Sequence, residues 1–273
     1  MSKIIVVGDF SLDENILCET TRLCPEGPVP VAIPVSYSIK EGMAGNVLAN
    51  LMSLSGRPRS DFIVFQSDCL NKKTRYVDQM SGYIMIRIDE DCKDASVFSE
   101  KEFEMALNSN DVEACVISDY GKGFLSKENM EFIAQLCISK GIPTFADTKQ
   151  LLGLWSCDLF AVKINDKEFA AHTKAGIMEP WKFAQNLIVT HGANDTVWYN
   201  GENKEFVPVK KVEVSSVVGC GDTSVSGLVI RYLESKNLKE SIQFANDAAS
   251  IKATKRGTYA VSRDELNIFR AYA

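Results

Sequence analysis

Histidine is almost missing from this chain: His172 and His191 are the only two in 273 residues. A histidine-rich metal centre is therefore excluded. The eight cysteines are scattered and include no C-x-x-C pair. That spacing predicts reduced thiols in a cytoplasmic protein, with neither a zinc site nor a disulfide framework. Basic charge is also short. Lys and Arg number 30 against 36 Asp and Glu, for a net charge of −6 and a pI near 5.2. Binding to a nucleic-acid backbone needs a basic face, so no nucleic-acid partner is expected. No apolar run is long enough to span a bilayer, and no basic n-region with a cleavage site opens the sequence. Neither a membrane partner nor a signal peptide is expected. Repeats and low-complexity stretches are absent too. What remains, 45% hydrophobic and 24% charged residues, suits a globular chain with a sizeable core.

The most informative stretch is Val218-Gly219-Cys220-Gly221-Asp222-Thr223-Ser224. Behind it Val225, Leu228, Val229, Tyr232 and Leu233 recur at helical spacing. Asp222 thus falls at or near a helix N-terminus, directly after a glycine turn. Unpaired N–H groups and the helix dipole favour an anion there, and glycine lets the backbone approach it. A carboxylate in the same place suits a proton acceptor. Phosphoryl transfer to an alcohol needs both. Taken alone, the stretch reads equally well as a turn with Asp222 as an ordinary helix cap.

The rest of the chain alternates strand and helix. Lys3–Val7 is a continuous apolar run, as in a buried parallel strand, followed by the polar Asp9, Ser11 and Asp13, placed where a polyol could be gripped. The two prolines in 29–39 predict an edge strand or extended arm. Thr74–Gln79 and Tyr83–Asp89 read as a hairpin. Between them small residues from Gly42 to Asn46 open a helix running to about Leu54. Strands follow at Val112–Ser118, Ile142–Ala146, Leu159–Ile164 and Leu187–Thr190. An antiparallel pair spans Thr196–Tyr199 and Lys204–Val209. Helices start near Ser126, cover about Lys239–Ala253 and close the chain after Ser262, where Glu265 has capping-box spacing. Asp9 and Asp13, Asp119 and Lys122, Asp147, Asn165 and Glu168, and Thr190 each lie just past a strand. A mostly parallel sheet collects such residues at its carboxyl edge, where α/β folds bind ligands.

In this order the motifs resemble the ribokinase-like (PfkB) carbohydrate kinases. They are Val7-Gly8-Asp9-Phe10-Ser11-Leu12-Asp13, 24–31, Gly42 to Asn46, Lys73-Thr74-Arg75, Arg87-Ile88-Asp89, 118–123, Asn165-x-x-Glu168, Gly219-Cys220-Gly221-Asp222, Phe244-Ala245-Asn246 and 255–258. Pro25-Glu26-Gly27-Pro28-Val29-Pro30 and Asp119-Tyr120-Gly121-Lys122-Gly123 point within that family to the heptose-7-phosphate kinase domain of ADP-heptose synthesis proteins. The resemblance implies a three-layer α/β/α sandwich over residues 1–273 as one domain, with a small β lid from segments near 14–40 and 73–90. It implies ATP-dependent, Mg2+-assisted phosphorylation of the anomeric hydroxyl of a heptose 7-phosphate. Asp222 would be the base, and the amides of Gly219, Cys220 and Gly221 the anion hole. Ser11, Asp13, Gly42 and Asn46 would bind the sugar, with Arg75 and Lys122 at its phosphate. Asn165, Thr190, Gly192, Gly219, Gly221 and Asn246 would line the nucleotide. Asn165 and Glu168 would hold magnesium through water, and the lid would serve a homodimer. Other readings are a PfkB-type kinase for ribose, a ketose or a nucleoside, and a silent relative acting as a binding or regulatory subunit.

Several positions depart from the family. Met43 replaces a second glycine, and Asp195 replaces a glycine in the loop after Thr190. Ser216 and Val218 stand where aspartate and threonine are usual, which predicts weakened activation by a monovalent cation. The short 57–72 stretch predicts a sheet trimmed at one edge.

Overall fold

A computed structural model describes residues 2–92 and 96–271. In chain order the strands and helices are β1 (Lys3–Gly8), β2 (Phe10–Glu19), β3 (Ile33–Met43), α1 (Ala44–Ser55), β4 (Phe62–Phe65), β5 (Asn71–Asp78) and β6 (Ile84–Glu90). They continue as α2 (Glu100–Ser109), β7 (Val112–Asp119), α3 (Lys127–Ser139), β8 (Thr144–Thr148), β9 (Ala161–Asn165) and α4 (Asp166–Lys174). The last are β10 (Leu187–His191), β11 (Asn194–Asn200), β12 (Asn203–Val207), α5 (Cys220–Ser235), α6 (Leu238–Ala253) and α7 (Arg263–Ala271). The chain divides into two units. The first holds Met1–Asp9, Met43–Gln66 and Val97–Ala273, and the second Phe10–Gly42 and Ser67–Ser96.

The first unit is built on an eight-stranded sheet in the order β12-β11-β10-β9-β8-β7-β1-β4. From β4 to β10 every pairing is parallel, and β11 and β12 add antiparallel strands. Parallel strands covered on both faces must be apolar throughout, and Ile4, Ile5, Val6 and Val7 of β1 are all fully buried. One face packs Ile5, Val7, Cys115 and Ile117 against Phe103 and Leu107 of α2 and Met130 and Ile133 of α3. Helix α5 packs against both α1 and α6. This is the expected ribokinase-like α/β architecture. The trimmed edge takes a definite form. β4 is present, four residues long, and pairs with β1. Among the described residues no α-helix lies between β4 and β5.

The second unit is a four-stranded sheet, β3-β2-β5-β6, in which β2 and β5 run parallel and β5 and β6 form the expected hairpin. Its two faces differ in kind. Register places Asp13 beside Lys73 and Lys73 beside Asp89, with Asn15 beside Arg75 and Arg75 beside Arg87. Alternation along each strand therefore puts these polar groups on one face and Ile86 and Ile88 on the other. A Cβ on Gly42 would meet Ser11 Oγ at 2.6 Å and Asp13 Oδ1 at 2.9 Å, so Gly42 belongs to the polar face. Ile33, Val35, Tyr37 and Ile39 of β3 then share the apolar face. Tyr37 is 65% exposed, Ile39 60% and Ile86 54%.

The expectation of free thiols needs one correction. Cys69 and Cys92 form a disulfide, with Cα atoms 5.9 Å apart and a sequence separation of 23. The β5–β6 hairpin causes it: Cys69 precedes β5, Cys92 follows β6, and the Cys92 N–H donates to Asn71 Oδ1 at 3.0 Å. Cysteine spacing alone does not reveal a pairing that a hairpin creates. The other six cysteines are free.

Candidate active site

The turn ahead of α5 has the geometry its glycines suggest. Gly219 caps the helix at φ 85°, a left-handed conformation that disfavours side chains. A Cβ there would lie 2.9 Å from Asn46 Nδ2, and one on Gly221 would lie 2.9 Å from Lys163 Nζ. The turn itself requires Gly219, and a side chain at either position would displace the end of Asn46 or of Lys163. The Cys220 N–H donates to the Val217 carbonyl at 3.2 Å, and the Thr223 N–H closes the first helical turn on Gly219 at 3.0 Å. Cys220 is therefore not a free donor for an anion. The amides of Gly221 and Asp222 stand in the first turn, where a helix supplies no partner. The Cys220 thiol, pushed up by burial, points to the carbonyls of Ser216 and Ala249.

Asp222 is buried at 5% exposure. Asn46 Nδ2 donates to one carboxylate oxygen at 2.6 Å, and the Tyr120 hydroxyl donates to the other. Burial pushes the carboxyl up to about 6, against the lowering effect of these two hydrogen bonds. Tyr120 is raised by burial and by the Asp222 charge, so it remains a protonated donor. The loop that carries Tyr120 is held by Asp9. Its carboxylate accepts the backbone N–H groups of Tyr120 at 2.8 Å, Lys122 at 2.9 Å and Phe124 at 3.4 Å. Asp9, read from sequence among residues that could grip a polyol, is therefore an organiser of this loop. Lys122 carries its side chain on the exposed part of the same loop.

Two charged groups near the turn escaped the sequence reading. Lys163, at 4% exposure, bonds Asp147 Oδ2 at 2.7 Å and so brings an ammonium beside Gly221. Its signal was its place on β9 two residues before Asn165, where alternation aims both side chains the same way. Lys149 pairs with Glu168 and lies 5.6 Å from the centre of the Tyr120 ring.

Asn165 and Glu168 form a reciprocal cap on α4. Asn165 Oδ1 accepts the Glu168 N–H at 2.9 Å, and Glu168 Oε2 accepts the Asn165 N–H at 2.8 Å. With Lys149 on the other Glu168 oxygen, these groups do not make a direct metal cage. Among the described residues no cluster of three or more His, Cys, Asp or Glu could hold a metal. The donor set fits an ion carried by phosphates and met through water, as magnesium commonly is.

A cavity of about 160 Å³ adjoins the turn. Thr190, Gly192, Gly221 and Asn246 line it, with Val209, Val212, Val214, Val217 and Ala249 as apolar walls. The Asn246 side chain is itself committed, accepting from Thr196 at 2.8 Å and donating to the Pro208 carbonyl at 3.1 Å. Asp195 is exposed and lines an adjoining open hollow with Lys204 and Lys211; it is not among the residues that line this cavity. Met43 adopts φ 56°, a conformation where the family's glycine would be unstrained.

The remaining sequence-predicted residues belong to the second unit. Asp13 pairs with Arg75 at 3.6 Å. Ser11 Oγ and Asp13 Oδ1 are buried without a hydrogen-bond partner. Buried polar atoms in that state are uncommon and fit a ligand that carries hydroxyls.

A family model described as pfkB family carbohydrate kinase matches residues 75–265. The bifunctional protein HldE of Sulfurimonas denitrificans is 27% identical over 310 residues, covering 98% of this chain and 64% of that protein. HldE of Shewanella piezotolerans is 28% identical, with 97% and 62% covered. The chain thus spans less than two thirds of these relatives' length. Among solved structures, a ribokinase from Thermotoga maritima superposes with a TM-score of 0.73 at 15% identity, covering 99% of this chain and all of that one. Phosphofructokinase-2 from Escherichia coli, in complex with potassium, gives 0.74 at 18% identity, covering 100% and 99%.

Proposed function

Because the chain belongs to the pfkB carbohydrate kinase family, and is with it a phosphotransferase to an alcohol group, we propose that it phosphorylates the anomeric hydroxyl of a heptose 7-phosphate from ATP. The observation that carries this reading is the state of Asp222: buried, held at both oxygens, and poised near neutral proton affinity at the head of α5. A general base works best when its pKa lies close to the working pH. Asp222 takes the proton of the attacking hydroxyl. The Gly221 and Asp222 amides and Lys163 receive the negative charge that gathers on the transferring phosphoryl group. Asn165 and Glu168 would hold a magnesium ion through water, and that ion would supply neutralisation of phosphate charge. Thr190, Gly192 and the apolar walls receive the nucleotide. Ser11, Asp13, Gly42 and Asn46 bind sugar hydroxyls, and Arg75 with Lys122 binds the sugar's phosphate. The HldE relatives and the two sequence motifs at 25–30 and 119–123 favour a heptose over other sugars.

The exposed apolar face of the second unit suits a second copy of the chain. Contiguous exposed apolar patches of this kind mark association surfaces more often than solvent faces.

ADP release with ATP and a panel of acceptors tests the reading: heptose 7-phosphates first, then ribose, ketoses and nucleosides. Turnover should be highest with a heptose 7-phosphate and should fall by about a hundredfold or more in Asp222→Asn. An unchanged rate in that variant removes Asp222 as the base. No turnover with any acceptor would make the chain a silent relative.

A further inference from the structure

We infer that Lys252 is a tethered cation standing behind the phosphate-binding turn, and that it makes this chain independent of a monovalent metal ion. The inference rests on reading the Gly219–Gly221 turn as the phosphoryl site.

Lys252 lies in the last turn of α6 and is fully buried. A buried ammonium without compensation is expensive, and such groups normally sit against a carboxylate. Among the described residues Lys252 makes no ion pair. Its Nζ instead donates to two backbone carbonyls, those of Ser216 and Lys255, each at 3.2 Å. Carbonyl oxygens converging on one positive charge are the ligands a bare alkali cation takes. The C-terminal end of α6 adds its partial negative charge at the same place. Burial lowers the lysine's proton affinity, and the neighbouring Cys220 acts in the opposite direction.

The location matters as much as the ligands. Ser216 belongs to the loop that leads into the glycine turn. That loop is docked on the end of α6, where the Ala253 carbonyl accepts the Ser215 N–H at 2.8 Å and the Ser216 N–H at 3.1 Å. The lysine's Cε lies 3.6 Å from where a Gly219 Cβ would be. One side chain therefore ties the loop before α5 to the loop after α6 and places a fixed positive charge at the back of the turn. This accounts for Ser216 and Val218. Side-chain ligands for a free cation at 216–218 are superfluous if the chain supplies its own. A permanent charge there both shapes the turn and draws negative charge toward its amides.

The test compares potassium chloride with choline chloride at matched ionic strength, using the whole protein. ADP release and the dissociation constant for ATP by calorimetry are both read. The wild-type values should agree between the salts within about twofold, since general screening is equal. Lys252→Ala leaves room for an ion. It should lose about tenfold or more of rate and weaken ATP binding in choline, and potassium should restore most of both. Lys252→Met fills the space with an apolar chain and should be impaired in either salt.

A wild-type protein that needs potassium overturns the inference, and needs no variant to show it. So does a folded Lys252→Ala that is unimpaired in choline, or one that potassium fails to restore. Absent ADP release from every acceptor would instead count against the kinase reading. The ATP affinities then still decide the role of Lys252.

Discussion

The two units treat the polar groups of the candidate site differently, although the first also buries single oxygens of Asp61, Ser118 and Thr144 without a partner. In the first, charge is matched internally. Asp222 holds Asn46 and Tyr120, Asp9 collects three amides, Lys163 holds Asp147, and Lys252 is wrapped by carbonyls. In the second, Ser11 Oγ and Asp13 Oδ1 are left without partners, and a sheet face of isoleucine, valine and tyrosine lies open. The difference separates preorganisation from recognition. Groups meant to stabilise a transition state act best when already fixed and dry, because nothing then reorganises during reaction. Groups meant to read a substrate or a partner must keep unspent hydrogen bonds and area until it arrives. Substitutions at the sugar-facing groups of the second unit should therefore change sugar binding, and substitutions around Asp222 in the first should change rate.

Arg75→Ala puts that division to its strongest trial. Arg75 lies on the polar face beside Asp13, with Lys73 and Arg87 as cationic neighbours. Removing a charge-assisted contact to a phosphate costs about 1.5–3 kcal/mol, so KM for a phosphorylated sugar should rise roughly tenfold to a hundredfold. The kcat should stay nearly constant, and KM for ATP should not move. Steady-state kinetics with both substrates varied would read this. A fall in kcat at unchanged KM would place Arg75 in the chemistry and erase the contrast between the units.

Ile86→Glu addresses the other face. Ile86 is half exposed and central in β6, with Ile88 on the same side. A charge in the middle of an apolar association surface costs several kcal/mol in a buried setting and little on a solvated one. Light scattering across a concentration series should show the wild type as a dimer and the variant shifted to monomer, with the melting temperature of the monomer little changed. Identical masses for the two proteins would mean that this face is not where copies meet.

Much of the first unit was legible in the sequence because its signals are local. Continuous apolar runs mark β1, β7, β8, β9 and β10, and glycine followed by an amphipathic run marks the head of α5. What escaped depends on contacts far apart in the chain. β2 gives no clear strand signal, since Asp13, Glu14 and Asn15 interrupt its apolar residues; its place between β3 and β5 makes it a strand. α2 passed unnoticed because a polar helix with two buried positions, Phe103 and Leu107, gives a faint periodicity. Asn165-x-x-Glu168 matched a metal-associated motif, yet the same spacing makes a helix cap, and the cap is what its side chains form. Nothing in the sequence separates Lys252 from other basic residues near a helix end. Its burial follows from the docking of residues 215–216 on Ala253, which no spacing rule encodes.

The smallest effect, and the finest division between position and chemistry, belongs to Tyr120→Phe. The substitution keeps the ring against Lys149 and removes only the hydroxyl that donates to Asp222. Asp222 is also faced by Asn46 from α1, Asp147 from β8, Lys163 from β9 and Cys220 from its own helix, and Lys149 acts on it at longer range. Asp147 raises its proton affinity and Lys163 lowers it, while burial outweighs both. The Tyr120 hydrogen bond favours the charged carboxylate, so its loss must raise the pKa from about 6. A base is competent only when deprotonated, so the wild-type rate should fall as pH drops through about 6. In the variant that acid limb should move upward by roughly half a unit to one unit. At pH 8, where both carboxyls are ionised, the rate deficit should shrink to a few fold, leaving mainly the loss of orientation. A uniform loss at every pH would assign Tyr120 to packing alone, and a downward shift would mean that the phenol stabilises the protonated acid instead.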